Sequence, residues 1–168
     1  MKTTFDAFYH KYHRDLYQFV FYMVKDSTQT EDIVQEVYVK VLKSYDTFRG
    51  DSSEKTWLFA IARHTTLDFF RKQQKRQHRL VELFSWNKTE HDLKDEKALP
   101  EEIVVSNDEI QQIYQKLQAC SIDQKQVIIL RYIQSFSIQE TADIMGWTIS
   151  KVKTTQHRAI KKLQELLH

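Results

Sequence analysis

Turn-forming residues are scarce in this chain of 168 residues, which holds only 2 glycines and 1 proline. Hairpins and tight reverse turns draw heavily on both, so the shortage leaves little material for a sheet and predicts helices almost throughout. A single cysteine, Cys120, excludes an internal disulfide and any cysteine-rich metal site. No run reaches ~18 uninterrupted apolar residues, so no membrane-spanning helix is expected. The charged N-terminus also lacks the apolar core of a secretion signal. These absences point to an all-α protein of the cytoplasm.

Formal net charge is only +2, but the total conceals an asymmetry. Residues 1–80 carry 14 Lys+Arg against 10 Asp+Glu, residues 81–110 carry 3 against 9, and residues 111–168 carry 8 against 4. Two basic blocks therefore flank an acidic one. The acidic stretch WNKTEHDLKDEKALPEE contains the only proline, Pro100, and few apolar residues, which is the composition of a linker. The expected organisation is an N-terminal helical domain over 1–80, an acidic flexible linker over 81–106 and a C-terminal helical domain over 107–168. Each domain is small enough that its core is modest and its stability marginal.

Three helices are legible in the first domain. From Thr4 to Lys25, Phe5, Phe8, Tyr9, Tyr12, Leu16, Phe19, Val20 and Met23 recur at spacings of three and four, which is a core face. A second helix starts near Thr28 to Thr30, plausible N-caps, and buries Val34, Val37, Tyr38 and Val41. At 100° per residue Asp32, Gln35, Glu36, Val39 and Lys43 form its opposite stripe, which suits either a solvated face or a docking face. A third follows the loop containing Gly50, Asp51, Ser52 and Ser53. Its inner face is expected to be Trp57, Ile61, Ala62, Thr65 and Phe69, with Phe59, Arg63, His64 and Phe70 on the other side. That helix ends in RKQQKRQHR, where Arg71, Lys72, Lys75, Arg76 and Arg79 have no acidic neighbour. Interleaved aromatic and basic residues beside a polar loop fit unpaired nucleic acid or, equally on this segment alone, a core helix with a soluble basic tail.

The most informative stretch is SIQETADIMGWTISKVKTTQHRA, Ser137 to Ala159. Ile138, Ala142 and Met145 share one face of a first helix, Gly146 permits a turn with positive φ, and Thr148 can cap a second helix whose inner side holds Val152 and Ile160. Lys151, Lys153, Thr154, Thr155, His157, Arg158, Lys161 and Lys162 then point outward. This is a helix-turn-helix with a basic second helix, suited to the major groove of DNA. A metal-dependent enzyme is disfavoured, because His10 and His13 with nearby Asp6 make the only local ligand-like cluster and lack a further ligand. A one-component or response-regulator type repressor would share the helix-turn-helix, but its N-terminal half should then bind a ligand, dimerise or accept phosphate, and no such pattern is visible.

Three segments together resemble a known family. TEDIVQEVYVKVL is similar to the D-x-E-D-L-V-Q-E-x-F helix of bacterial extracytoplasmic-function (ECF) sigma factors of the sigma-70 family. TWLFAIARHTTLDFFRK is similar to their T-W-L-x-x-I-A-R-N-x-x-x-D-x-x-R helix, and GWTISKVKTTQHRA to their G-x-S-x-x-T-V-K-S-R-x-H-R-A helix. The motifs occur in the family's order across nearly the whole chain, and FYMVKDSTQTEDIVQEVY resembles the sigma-X type of Gram-positive bacilli. The resemblance implies two helical domains, sigma regions 2 and 4, and no cofactor.

The resemblance also implies roles. Asp32, Gln35, Glu36 and Val39 would dock on the clamp of the RNA polymerase β′ subunit, and region 4 on the β flap. Arg49, Gly50, Asp51, Ser52, Ser53 and Lys55 would capture a flipped base of the −10 element, with Arg63, His64, Arg71 and Lys72 also facing DNA. Lys151, Lys153, Thr154, Thr155, His157, Arg158 and Lys161 would contact the −35 element, and the acidic linker would thread polymerase channels. A membrane-anchored anti-sigma factor and a stress or envelope regulon are expected partners of the system, with regulation from another protein because no autoinhibitory extension is read at either end. The chain departs from the family pattern at His64, where Asn is common, at Lys151 and Thr155, where Thr and Arg are common, and at Trp147, which replaces a small aliphatic residue. The promoter sequence is therefore not transferable.

Overall fold

The computed structural model of the chain describes residues 2–83 and 108–167, and among them there is no β-strand. The expected linker lies outside the described residues from 84 to 106, while residues 81–83 complete a long helix. In the N-terminal half, α1 spans Lys2–Val24, α2 Ser27–Ser44 and α3 Glu54–Leu83, with a short 3₁₀ turn at Tyr45–Thr47. In the C-terminal half, α4 spans Asp108–Leu117, α5 Ile122–Ile128, α6 Ile138–Met145 and α7 Ile149–Leu167, and a π-helical turn at Ile129–Ile133 follows α5.

The apolar repeat of α1 is buried as expected: Phe8, Tyr12, Leu16, Phe19, Val20 and Met23 all lie in the core. Tyr17, Phe21 and Tyr22 are buried as well, on flanks that a one-sided amphipathic helix would leave wet. The extra burial has a tertiary cause, because α1 packs against α2 and α3 and also against α5 and the π turn. Tyr22 meets Tyr114 of α4 edge-on at 4.8 Å, and burial pushes the Tyr22 hydroxyl upward in pKa and that of Tyr114 up to about 12.

Helix α2 is capped by Asp26, not by Thr28 or Thr30. The Asp26 carboxylate accepts the Gln29 N–H at 2.9 Å, while the Thr30 side chain is buried and donates to the Asp26 carbonyl. Lys25 provides the turn into this cap with φ of 62°. Val34, Val37 and Val41 are buried with Ile33, and Tyr38 is half-buried, its hydroxyl 2.8 Å from His13 Nδ1. His13 is thus committed to an interhelical contact, and among the described residues no three His, Cys, Asp or Glu side chains converge on a metal-sized site.

Helix α3 is 30 residues long, roughly 45 Å at 1.5 Å per residue. Ser53 caps it by accepting the Thr56 N–H at 3.1 Å. Ala62 and Thr65 are buried as expected, and Trp57, Ile61 and Phe69 are half-buried, Trp57 lying against the rings of Phe48 and Tyr45. Phe59 departs from expectation: instead of facing outward it is fully buried between Phe19 at 5.2 Å and Phe136 at 5.1 Å. The reason is again tertiary, since α6 and the loop before it cover that side of α3. Beyond Phe70 the helix emerges from the body, and Arg71, Lys72, Lys75, Arg76 and Arg79 are exposed.

Candidate nucleic-acid interface

The helix-turn-helix forms from the residues that the sequence singled out. Ser137 and Glu140 make a reciprocal capping box at the start of α6, Gly146 ends it with φ of 67°, and the Thr148 hydroxyl accepts the Lys151 N–H at 3.1 Å to begin α7. Ala142, Ile144, Met145, Val152 and Ala159 are buried, while Ile138 and Ile160 pack at the margin. Opposite them, Lys151, Lys153, Thr154, His157, Arg158 and Lys161 are exposed, and Thr155 and Lys162 are half-exposed. Arg131 of the π turn holds the inner edge of α7, donating from Nε to Gln156 Oε1 at 2.9 Å and from Nη1 to the Phe136 carbonyl. A cationic, hydroxyl-rich ridge therefore stands on a helix braced from behind.

In the N-terminal half the loop residues Arg49, Gly50, Asp51 and Ser53 are exposed and Ser52 half-buried, with Gly50 at φ of 77°. A residue with a Cβ would be strained there. His64 is exposed on α3, and Arg71 lies 3.3 Å from Asp68. On α2, Asp32, Gln35, Glu36, Val39 and Lys43 are all exposed, and Glu36 pairs along the helix with Lys40 at 3.7 Å. Leu42, missed in the sequence reading, is 58% exposed beside Val39 at 49%, so the stripe has an apolar centre with an acidic margin. Spacing alone would have found it, since Leu42 is three residues beyond Val39.

Two expected DNA-facing residues are instead turned to the C-terminal half. Arg63 donates from Nε to Gln126 Oε1 at 2.7 Å, and burial lowers its guanidinium pKa. Lys55 lies 3.2 Å from Asp15 and over the rings of Phe136 and Phe59 at 5.2 and 5.6 Å. Gln134 donates to the Asp15 carbonyl and to Gln18, and Thr56 reaches Glu140 at 3.4 Å. Polar contacts surround the Phe59–Phe136 pair, Phe21 and Tyr22 meet Tyr114 across the same junction at 6.1 and 4.8 Å, and the Gln126 amide nitrogen is buried without a partner.

Glu140 belongs both to the capping box and to the junction. The Ser137 N–H donating to Oε1 at 2.9 Å holds its carboxyl below the usual carboxylate range, helped by the Ser137 hydroxyl, Thr56 and Lys55. A lowered folded-state pKa stabilises the fold above the unfolded value, about 4.3, and that contribution vanishes as pH falls through the folded value. Glu140→Gln keeps the neutral cap, so it is expected to flatten the decline in thermal stability between about pH 5 and pH 3. Parallel acid titrations of the melting temperature check this, and superimposable curves would contradict it.

Comparison with known proteins agrees with this geometry. The Sigma-70 region 2 model matches residues 8–76 and the Sigma-70 region 4 model residues 110–163. The ECF RNA polymerase sigma factor SigX of Bacillus subtilis strain 168 is 54% identical over 98% of this chain and 84% of its own length. The RNA polymerase sigma factor YlaC of the same strain is 30% identical over 98% and 92%. Among solved structures, the sigma factor RpoE of Bartonella quintana, in complex with the anti-sigma factor NepR, superposes with a TM-score of 0.76 at 27% identity, covering 98% of this chain and 96% of that one.

The chain belongs to the sigma-70 family of RNA polymerase sigma factors, in its ECF group. It is an alternative sigma factor and not an enzyme, binding core RNA polymerase and directing it to promoter DNA through regions 2 and 4. None of its described helices is long and apolar enough to cross a membrane.

Proposed function

We propose that residues 1–80 and 107–168 act as two DNA readers on one polymerase, joined by residues 81–106. Asp32, Gln35, Glu36 and Val39, with Leu42, dock on the β′ clamp, and the C-terminal domain meets the β flap. Arg49, Gly50, Asp51, Ser52, Ser53 and Lys55 receive an unstacked base of the −10 element, with Arg63, His64, Arg71 and Lys72 on the adjoining strand. Extrusion of a base costs a few kcal/mol, which contacts in the loop offset. Lys151, Lys153, Thr154, Thr155, His157, Arg158 and Lys161 enter the major groove at the −35 element. The observation that carries this reading is the exposed ridge of α7, presented by a helix-turn-helix whose turn and both caps are formed.

The two elements lie about 25 base pairs apart, roughly 85 Å at 3.4 Å per pair. The junction at Lys55, Thr56 and Arg63 brings the two readers together, so its contacts must separate on the promoter. The protein acts in the cytoplasm, and its regulator is a membrane-anchored anti-sigma factor controlling a stress or envelope regulon. The similarity to a sigma factor solved with its anti-sigma partner supports that regulation.

The test separates reading from gripping. Arg158→Ala and Lys153→Ala are expected to cost roughly 1–3 kcal/mol and to relax preference at one or two −35 positions. Lys161→Ala and Lys162→Ala are expected to weaken all promoters alike and to reduce the salt slope of binding by about one per lost phosphate contact. Binding of assembled holoenzyme to a library of −35 variants at several salt concentrations measures both. An unchanged ranking of promoters for all four variants would mean that α7 grips DNA without reading it.

A further inference from the structure

Trp147 and Lys151 make a contact that the helix-turn-helix fold does not itself require. Trp147 follows the left-handed Gly146, and its N–H donates to the Ala142 carbonyl at 3.0 Å, so the backbone that carries the indole is fixed by the turn. The side chain is half-buried and packs against the core margin. Four residues on, in the first turn of α7, the exposed Lys151 ammonium sits 4.1 Å from the centre of the indole ring.

That position is a poor place to leave a cation. The N-terminus of a helix carries partial positive charge, which repels an ammonium. No carboxylate among the described residues forms an ion pair with Lys151. The indole face supplies the compensating negative charge instead. A lysine also has a long, flexible stem, and ordering it on DNA costs entropy that a ring already holding the ammonium reduces in advance. One face of the ammonium is taken by the ring, which leaves N–H donors on the other side for a hydrogen-bonding acceptor. The first turn of a recognition helix is where base edges are met, and lysine pairs with guanine O6 and N7.

We propose that Trp147 is a positioning residue for promoter discrimination: its indole face holds the Lys151 ammonium in the pose from which it donates to a guanine edge of the −35 element. The inference rests on the reading of α7 as the −35 reader. It assigns to Trp147, which lies outside the exposed ridge, control over which promoters that reader prefers.

The test uses holoenzyme assembled with Lys151→Ala, Trp147→Leu, Trp147→Phe and the Trp147→Leu/Lys151→Ala pair, with Arg158→Ala in parallel, against the library of −35 variants. Lys151→Ala is expected to lose roughly 5- to 100-fold in affinity for promoters with the matching guanine, and little for the rest. Trp147→Leu is expected to lose about 2- to 5-fold at the same position of the promoter, without a change in salt slope. Trp147→Phe keeps a ring face and should restore most of the preference. The double variant should be no worse than Lys151→Ala alone, because the indole acts through the ammonium. A Trp147→Leu loss that is uniform across promoters, accompanies a lower melting temperature or adds to the Lys151→Ala loss would overturn the proposal and leave Trp147 as a support for the turn. If Arg158→Ala shifts the promoter ranking while Trp147→Leu and Lys151→Ala do not, this inference fails and the −35 reading stands. If none of the variants shifts it, both fail together.

Discussion

Reversing charge at Asp32 and Glu36, as Asp32→Lys/Glu36→Lys, is expected to weaken binding to core RNA polymerase by roughly 100-fold or more while helix content and thermal unfolding hardly change. Both side chains are exposed on the side of α2 opposite Val34, Val37 and Val41. The folded protein loses only the exposed Glu36–Lys40 pair at 3.7 Å, worth about 0–1 kcal/mol. An interface loses far more, because each reversed charge leaves a partner cation desolvated and opposed. Titration of labelled protein against core polymerase, with circular dichroism on the same samples, measures both halves of the prediction. A double variant that still binds would show that the stripe is a solvated face, and one that unfolds would show that these residues support the helix.

Phe59→Ala is expected to lower the stability of the N-terminal helical half by about 3–5 kcal/mol, a large part of the roughly 5–15 kcal/mol available to a small domain. The ring is fully buried and touches Phe19 within its own half and Phe136 across the junction. Phe136→Ala keeps the Phe19 contact and removes the second one, together with the Lys55 ammonium's contact with the Phe136 ring. It is expected to leave the unfolding of α1–α3 nearly unchanged while letting the two halves separate, seen as a larger radius of gyration in solution scattering. Hydrogen exchange resolved by helix distinguishes the two effects, because a chain of two helical bodies need not unfold in one step. Equal destabilisation of α1–α3 by both substitutions would mean that the junction belongs to a single cooperative core.

Much of the architecture was legible in the chain itself. The three-and-four repeat from Phe8 to Met23, the valine face of α2 and the Ala142–Met145–Gly146–Thr148 spacing each describe interactions between residues within a turn or two of one another. Local spacing sets which residues share a face, and glycine at a positive φ or a hydroxyl before a helix reports its own backbone requirement. The outward ridge of α7 follows from the same periodicity, with Val152 and Ala159 beneath it. Cap assignment failed at α2 for a related reason: Asp26, Thr28 and Thr30 are all chemically competent, and the geometry of the turn at Lys25 chose the first.

What the sequence could not determine was which second surface each helix meets. Phe59 and Arg63 read as the outer side of α3, but Phe59 already meets Phe19 of α1 within the N-terminal half. The C-terminal half then supplies Phe136 to cover the one and Gln126 to bind the other. Arg63 and Gln126 are 63 residues apart in the chain, and Thr56 and Glu140 are 84 apart. Periodicity in one helix carries no record of a partner at that distance, because it reports whether a face is apolar and not what will approach a polar or mixed one. Sequence therefore determined α1, α2, α3, α6 and α7, the turn between the last two and the exposed basic ridge of α7, and tertiary structure decided that Lys55 and Arg63 are engaged by the other half of the chain. The physical reason is that a mixed face of cations and aromatics satisfies either water, nucleic acid or a complementary protein surface, and only the packing of the two halves selects among them.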